Sequence, residues 1–229
     1  MRELGEIING GILLISYGQY SLGWKLGIEY LKSEIENGAF GVILNTTVPV
    51  RKLCERAKTV GFDMLNVKDN LAVVNMFKEP IKTPDFVYTL DTLDENVIIP
   101  KMGDLMEQLA EKHNLKERKV IGIIATLDGI YELFGQRFLK KLIMGYLIRA
   151  EKLIYEGYSY WAIFLVNRDA IPKELHSWIV SVSDYVILTE GIIKENELVE
   201  NTILLKSLAP DFSQRMFQTR IPAEKLKVK

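Results

Sequence analysis

Residues 18–25 read Gly-Gln-Tyr-Ser-Leu-Gly-Trp-Lys and follow an apolar run from Gly11 to Tyr17. Gly18 and Gly23 stand at the separation found in G-x-x-x-x-G-K-[ST], the loop whose backbone N–H groups cradle phosphates where a strand passes into a helix. Gly18, Gln19, Tyr20, Ser21, Leu22 and Gly23 supply the backbone for such a cradle, because unpaired N–H donors and the helix dipole both favour an anion there. The next two positions break the pattern. Trp24 stands where a lysine would reach the outer phosphates, and Lys25 where a hydroxyl would hold Mg²⁺. Lys25 repels a divalent cation, so Mg-nucleotide binding is disfavoured, while a metal-free anion remains admissible. Two glycines so spaced also make a plain strand-to-helix turn, and the loop alone does not separate the two readings.

Other reactive residues are sparse. Cys54 is the only cysteine, and His113 and His176 are the only histidines, so no Cys/His cluster at metal-ligand spacing exists and no metal is expected. Each histidine reads as a surface or capping residue. Asp91, Asp94, Glu95 and Asp104 lack the alternation of a calcium loop and read as hydrated surface. The formal net charge of -1 argues against a phosphate-binding surface, and Lys225, Lys227 and Lys229 read as a solvated tail, so nucleic acid is not expected. No signal-like segment opens the chain and no apolar run nears ~18 residues, which predicts a cytoplasmic protein with no membrane contact.

Positioning the loop requires an α/β framework, and short apolar runs alternating with helix-period segments predict βα units feeding a mostly parallel sheet. Strands are expected at residues 11–17, 40–44, 71–76, 120–127, 158–166, 185–188 and 202–206. Helices are expected from Trp24 to Glu36, closed by Asn37-Gly38, and from Pro49 to Gly61 with Leu53, Cys54, Ala57 and Val60 inward. Further helices are expected from Val97 to His113, from Ile130 to Tyr155 as one long element, and from Glu174 to Val180. Residues 78–96 receive no assignment, and Met216 to Ile221 completes a C-terminal hairpin. No linker or repeat divides the chain, which predicts one domain over residues 1–229.

Taken in order, Gly10-Gly11, the apolar strand, the spaced glycines, the helix ending at Asn37-Gly38, the next strand and Gly61-Phe62-Asp63 resemble the KaiC-like branch of the RecA superfamily. Lys119 to Leu127 resembles its Walker B strand, Ser183-Asp184-Tyr185-Val186-Ile187 its late strand, and Leu205-Lys206 its terminal strand; the likeness suggests a hyperthermophilic archaeal subfamily. The resemblance implies a three-layer RecA-like P-loop fold: a central, mostly parallel, twisted sheet with helices on both faces and a C-terminal β-hairpin. It also implies four losses. Active members carry paired glutamates where Thr47 and Val48 stand, an acid where Ala125 stands, the loop lysine and hydroxyl where Trp24 and Lys25 stand, and Lys-x-Arg where Lys206-Ser207-Leu208 stands. Lys206 alone survives of the pair that reaches a neighbouring subunit's nucleotide.

Those losses predict a pseudo-ATPase without catalytic residues or required cofactor, acting as a scaffold or regulatory subunit for a protein partner or its own oligomer. Other readings stay open. One is a metal-independent nucleotide or phosphate sensor at the relic loop, with ATP or ADP as ligand; another is an NTPase rebuilt on Lys25 and Asp128. Asp128 is expected to cap the helix beginning near Ile130, Trp24 to pack, and Lys25 to be solvated. Tyr131, Phe134, Phe138, Leu142 and Tyr146 are expected to face the core, with an oligomer contact as the alternative.

Overall fold

The computed structural model describes residues 5–76, 78–80, 82–194 and 197–222, with backbone alone at 221–222. The expected tail lysines 225, 227 and 229 and the first four residues lie outside them. Parallel strands β1 (Ile12–Tyr17), β2 (Phe40–Asn45), β3 (Leu71–Asn75), β4 (Val87–Thr89), β5 (Lys119–Ala125), β6 (Ser159–Asn167) and β7 (Tyr185–Lys194) build the sheet. Antiparallel β8 (Glu197–Lys206) and β9 (Arg215–Pro222) extend it. The spatial order is β4-β3-β2-β5-β6-β1-β7-β8-β9, so β1 lies inside the sheet and β6 separates it from β5.

Alternation along each strand feeds two cores. Ile12 and Leu14 of β1 face one way with Val42, Val74 and Phe164, and that face is covered by α3 (Glu95–Lys112), α4 (Leu127–Tyr155) and α5 (Lys173–Val182). Leu13 and Ile15 face the other way with Ile43, Val73 and Ile163, under α1 (Gly23–Glu36) and α2 (Val50–Lys58). Both faces of the central strands are dry, which is why they read as continuous apolar runs. The three layers and the C-terminal hairpin agree with the expected class.

Several boundaries differ. Residues 87–89, in the unassigned stretch, form β4, a short edge strand that follows β3 in parallel. The expected helix from Ile130 begins instead at Leu127, where Thr126 accepts a hydrogen bond from the Gly129 N–H at 3.3 Å. It is also not continuous: Gly135 adopts φ 75°, ψ 179°, a conformation only glycine takes at low cost, and breaks α4 into a short and a long piece. Strands β7 and β8 run six and five residues longer than the expected 185–188 and 202–206, because they pair with each other beyond the sheet's parallel body. Cys54 and Val60 are half-buried, whereas Leu53 and Ala57 enter the core as expected.

Candidate functional site

Strand β1 delivers the Gly18–Gly23 loop to the carboxyl edge of the sheet, and α1 begins immediately at Gly23. Most of the loop's backbone donors are engaged by the chain itself. Gly18 N–H donates to the Thr189 carbonyl at 3.0 Å, Gln19 N–H to Asp169 Oδ2 at 2.7 Å, and Leu22 N–H to Glu200 Oε1 at 3.1 Å. Gly23 N–H donates to Ser21 Oγ at 2.9 Å, and the Ser21 hydroxyl contacts Thr189 Oγ1 at 2.6 Å and donates to Glu200 Oε1 at 2.5 Å. Two carboxylates thus meet the backbone where the sequence pattern puts phosphate oxygens, and Glu200 sits against the favourable end of the α1 dipole.

The long β7–β8 ladder makes this closure possible. Glu200 pairs with Gly191 beyond the end of β1, at the level of the loop, and a Cβ at Gly191 would stand 2.2 Å from the Tyr20 carbonyl oxygen. Gly23 is equally confined, since its Cβ would meet Thr189 Oγ1 at 2.0 Å. Ser21 is 6% exposed and Glu200 9%. Burial pushes the Glu200 carboxyl above its ordinary value, against the opposing pull of Ser21, Leu22 and Arg168. Among the described residues, Glu200 Oε2 has no hydrogen-bond partner.

Above Gly18 lies an Arg168–Glu190 ion pair, whose guanidinium also donates to the carbonyls of Thr189 at 2.7 Å and Ser16 at 3.3 Å. His176 Nε2 contacts Ser16 Oγ at 2.8 Å, so this histidine is neither a surface nor a capping residue. Burial lowers its pKa. The pair has nucleophile-and-base geometry but no chemistry follows, because Ser16 is fully buried in a central strand and no substrate carbonyl reaches it. His113 closes α3 and stacks on Phe40 with ring centroids 4.7 Å apart.

The ends of β2 and β5 hold the remaining positions to which the resemblance points. Ala125 is buried, its peptide bond to Thr126 is cis, and Thr46 Oγ1 both donates to the Thr126 carbonyl at 2.8 Å and accepts from the Thr126 N–H at 2.7 Å. Thr47 packs so closely on the first turn of α4 that a Cβ at Gly129 would meet its methyl at 2.3 Å. Asp128 does not cap the helix. It lies inside the first turn and accepts the Asn167 N–H at 2.9 Å, and burial raises its pKa. Trp24 is half-buried at the edge of the α1–α2 core, with Lys25 Nζ 5.8 Å and the Arg56 guanidinium 5.9 Å from its ring. Lys25 itself is half-buried.

Lys206 donates to the carbonyls of Ser183 and, at 3.4 Å, Ser181, and so neutralises the carboxyl end of α5. Phe138 and Leu142 are buried, and Tyr131, Phe134 and Tyr146 pack against the same core, as the helical spacing predicts. Asp94 caps α3 through the Asn96 N–H, and Asp91 pairs with Lys78 at 3.7 Å. No group of three metal-ligating side chains exists among the described residues, and no described helix is long and apolar enough to cross a membrane. Sequence reasoning missed Glu200, Asp169, Arg168 and Glu190. None of the four left a signal, because each lies far in sequence from the loop it contacts and outside the expected strands.

No protein family and no curated protein matches the chain in sequence. Solved structures do match. A protein of Pyrococcus horikoshii, PH0321, crystallised in complex with an unknown peptide, superposes with a TM-score of 0.73 at 16% identity, covering 95% of this chain and 96% of that one. The KaiC-like protein PH0186 of Pyrococcus horikoshii OT3 superposes with a TM-score of 0.66 at 15% identity, covering 95% and 89%. The fold is therefore similar to that of the KaiC-like protein PH0186.

Proposed function

Starting from a KaiC-like fold, we propose that this chain is a non-catalytic RecA-like scaffold that acts by binding a protein partner. The observation that carries this reading is the loop closed by its own acids: the N–H groups of Leu22 and Gln19 are held by Glu200 and Asp169, and a phosphate arriving there meets two carboxylates. Like charges at hydrogen-bonding distance repel strongly in a half-buried site. Turnover lacks its parts as well. Ala125 and Thr47 carry no carboxylate, and Asp128 is engaged by Asn167.

Partner binding is supported by the outer edge of the sheet. Strand β9 is eight residues long, no described strand pairs with its far side, and Met216 and Phe217 are exposed there at 67% and 42%. An open edge of this length is a template for an added extended segment. The peptide held by PH0321 is in keeping with such a mode. A peptide selected by display against this chain loses binding to the Met216→Glu, Phe217→Glu variant if β9 is the docking edge.

The decisive test is a thermal-shift panel of ATP, ADP and GTP with and without Mg²⁺, together with phosphate release at elevated temperature. A ligand at 100 times its Kd adds about 2.7 kcal/mol. For a chain of this size that is a Tm rise of roughly 5–11 °C. The scaffold reading expects no rise and no release. A second reading, a metal-independent phosphate sensor, draws on the half-exposed Trp24 between Lys25 and Arg56. A saturable Tm rise without Mg²⁺, accompanied by a change in tryptophan fluorescence that Trp24→Phe abolishes, establishes the sensor instead.

A further inference from the structure

On the opposite face of the sheet from α1 and α2, helices α3 and α4 stand apart over a cavity of about 540 Å³. The floor is low because Gly122 and Ala162 offer no bulk, and Val42 and Val120 flank them on the neighbouring strand positions. Met102 and Met106 of α3 form one wall, and Leu142, Gly145 and Tyr146 of α4 the other. Protein interiors pack densely, and apolar cavities large enough for a ligand are dry and take up apolar molecules. The volume lies in the range of small-molecule sites. From Leu142 to Leu153 the groove follows α4 for roughly 16 Å at 1.5 Å per residue, which suits a linear rather than a compact occupant.

Polar groups gather at one part of this groove. The rings of Tyr146 and Tyr160 lie 5.5 Å apart, and burial holds both phenols above their ordinary value and hence neutral; Tyr160 raises Tyr146 further, whereas Tyr146 and Arg149 pull Tyr160 down against its burial. Arg149 acts electrostatically on Tyr160 and reaches Glu107 across the mouth at 3.4 Å. Lys152 pairs with Glu156 at 3.6 Å, so two cations and two acids meet here, while Lys141 lies at the other end of the groove. Glu107 is 72% exposed, so an incoming anion can take its place on Arg149 while Glu107 remains hydrated.

We propose that the α3–α4 cavity is a binding site for an amphiphile with a saturated tail and a carboxylate head, the tail lying over Gly122 and Ala162 and the head meeting Arg149 and the tyrosine hydroxyls. The site is separate from the Gly18–Gly23 loop and does not depend on the scaffold reading. The probes are decanoate and decanol, titrated below their micelle-forming concentrations into the full chain by calorimetry, with Tm measured in parallel. Wild type binds decanoate saturably at one site per chain, about tenfold or more tighter than decanol, because charged hydrogen bonds add to tail burial. In Gly145→Leu the new side chain points into open space, since a Cβ there meets nothing within 4 Å. That variant keeps or raises the wild-type Tm without ligand and loses decanoate binding, whereas Arg149→Met binds decanoate only as well as decanol. Absence of saturable decanoate binding in wild type overturns the proposal. So does equal affinity for the two probes, or undiminished binding by Gly145→Leu at unchanged Tm.

Discussion

Replacing Glu200 with alanine removes the acceptor of the Leu22 N–H and of the Ser21 hydroxyl. Ser21 keeps Thr189, so the orphan is the Leu22 N–H, and an unsatisfied buried donor costs about 1–3 kcal/mol. The upper half of that range is not reached, because burial already penalises the ionised carboxylate and holds its pKa above the ordinary 4.5. The expected loss of about 1–2 kcal/mol corresponds to a fall in Tm of roughly 2–8 °C in a chain of this length. Glu200→Gln keeps an acceptor oxygen for Leu22 and removes the charge. A carboxyl with a raised folded pKa stabilises fully below its unfolded pKa, and that contribution is lost as pH rises through the folded one. Wild type therefore loses ground to Glu200→Gln as pH is raised stepwise above the unfolded value of about 4. Burial lowers the pKa of both histidines, so both proteins share a loss of stability as pH falls through 6.5, which cancels in the difference. The assay is Tm by circular dichroism across that series. A difference that is flat, or that moves in favour of wild type with rising pH, refutes the account of Glu200 as a desolvated, loop-closing carboxylate.

Removing the acid also empties the α1 end of the loop, so Glu200→Ala gains a Tm rise with pyrophosphate that wild type lacks; equal responses of the two proteins contradict the closure. Gly191→Ala drives a methyl into the Tyr20 carbonyl and costs about 1–3 kcal/mol in urea-denaturation midpoints converted with the measured slope. Lys206→Met exposes the end of α5 and lowers stability by about 0.3–1 kcal/mol with no change in solution mass by light scattering. A changed mass at constant Tm assigns Lys206 to a subunit contact.

Most of the framework is legible in the amino-acid sequence. Ile12 to Tyr17, Phe40 to Asn45 and Ser159 to Asn167 announce themselves as strands because burial on both faces demands uninterrupted apolar residues. Gly23 to Glu36 announces itself as a helix through Ile28, Leu31 and Ile35, which must fall on one face. The lengths of β7 and β8 were not legible. Their extra residues pair only with each other, and polar positions such as Thr189, Glu190 and Glu200 carry no apolar alternation to mark them as strand. The break in α4 was hidden too, because glycine permits a positive φ without requiring it.

Residue types and spacing by themselves determined that a glycine-bounded turn links β1 to α1 and that Trp24 and Lys25 stand where a phosphate-binding loop carries its lysine and hydroxyl, while the resemblance to KaiC-like proteins alone implies that Thr47 and Ala125 stand in place of acids. Only the tertiary structure decided what the turn faces. Glu200 and Asp169 lie 178 and 150 residues from the backbone groups they hold, and contacts at that separation arise from strand order and register, which local periodicity does not encode. The α3–α4 cavity has the same origin: the small residues Gly122 and Ala162 of the sheet beneath leave the space between the helices, and neither helix's own pattern encodes it.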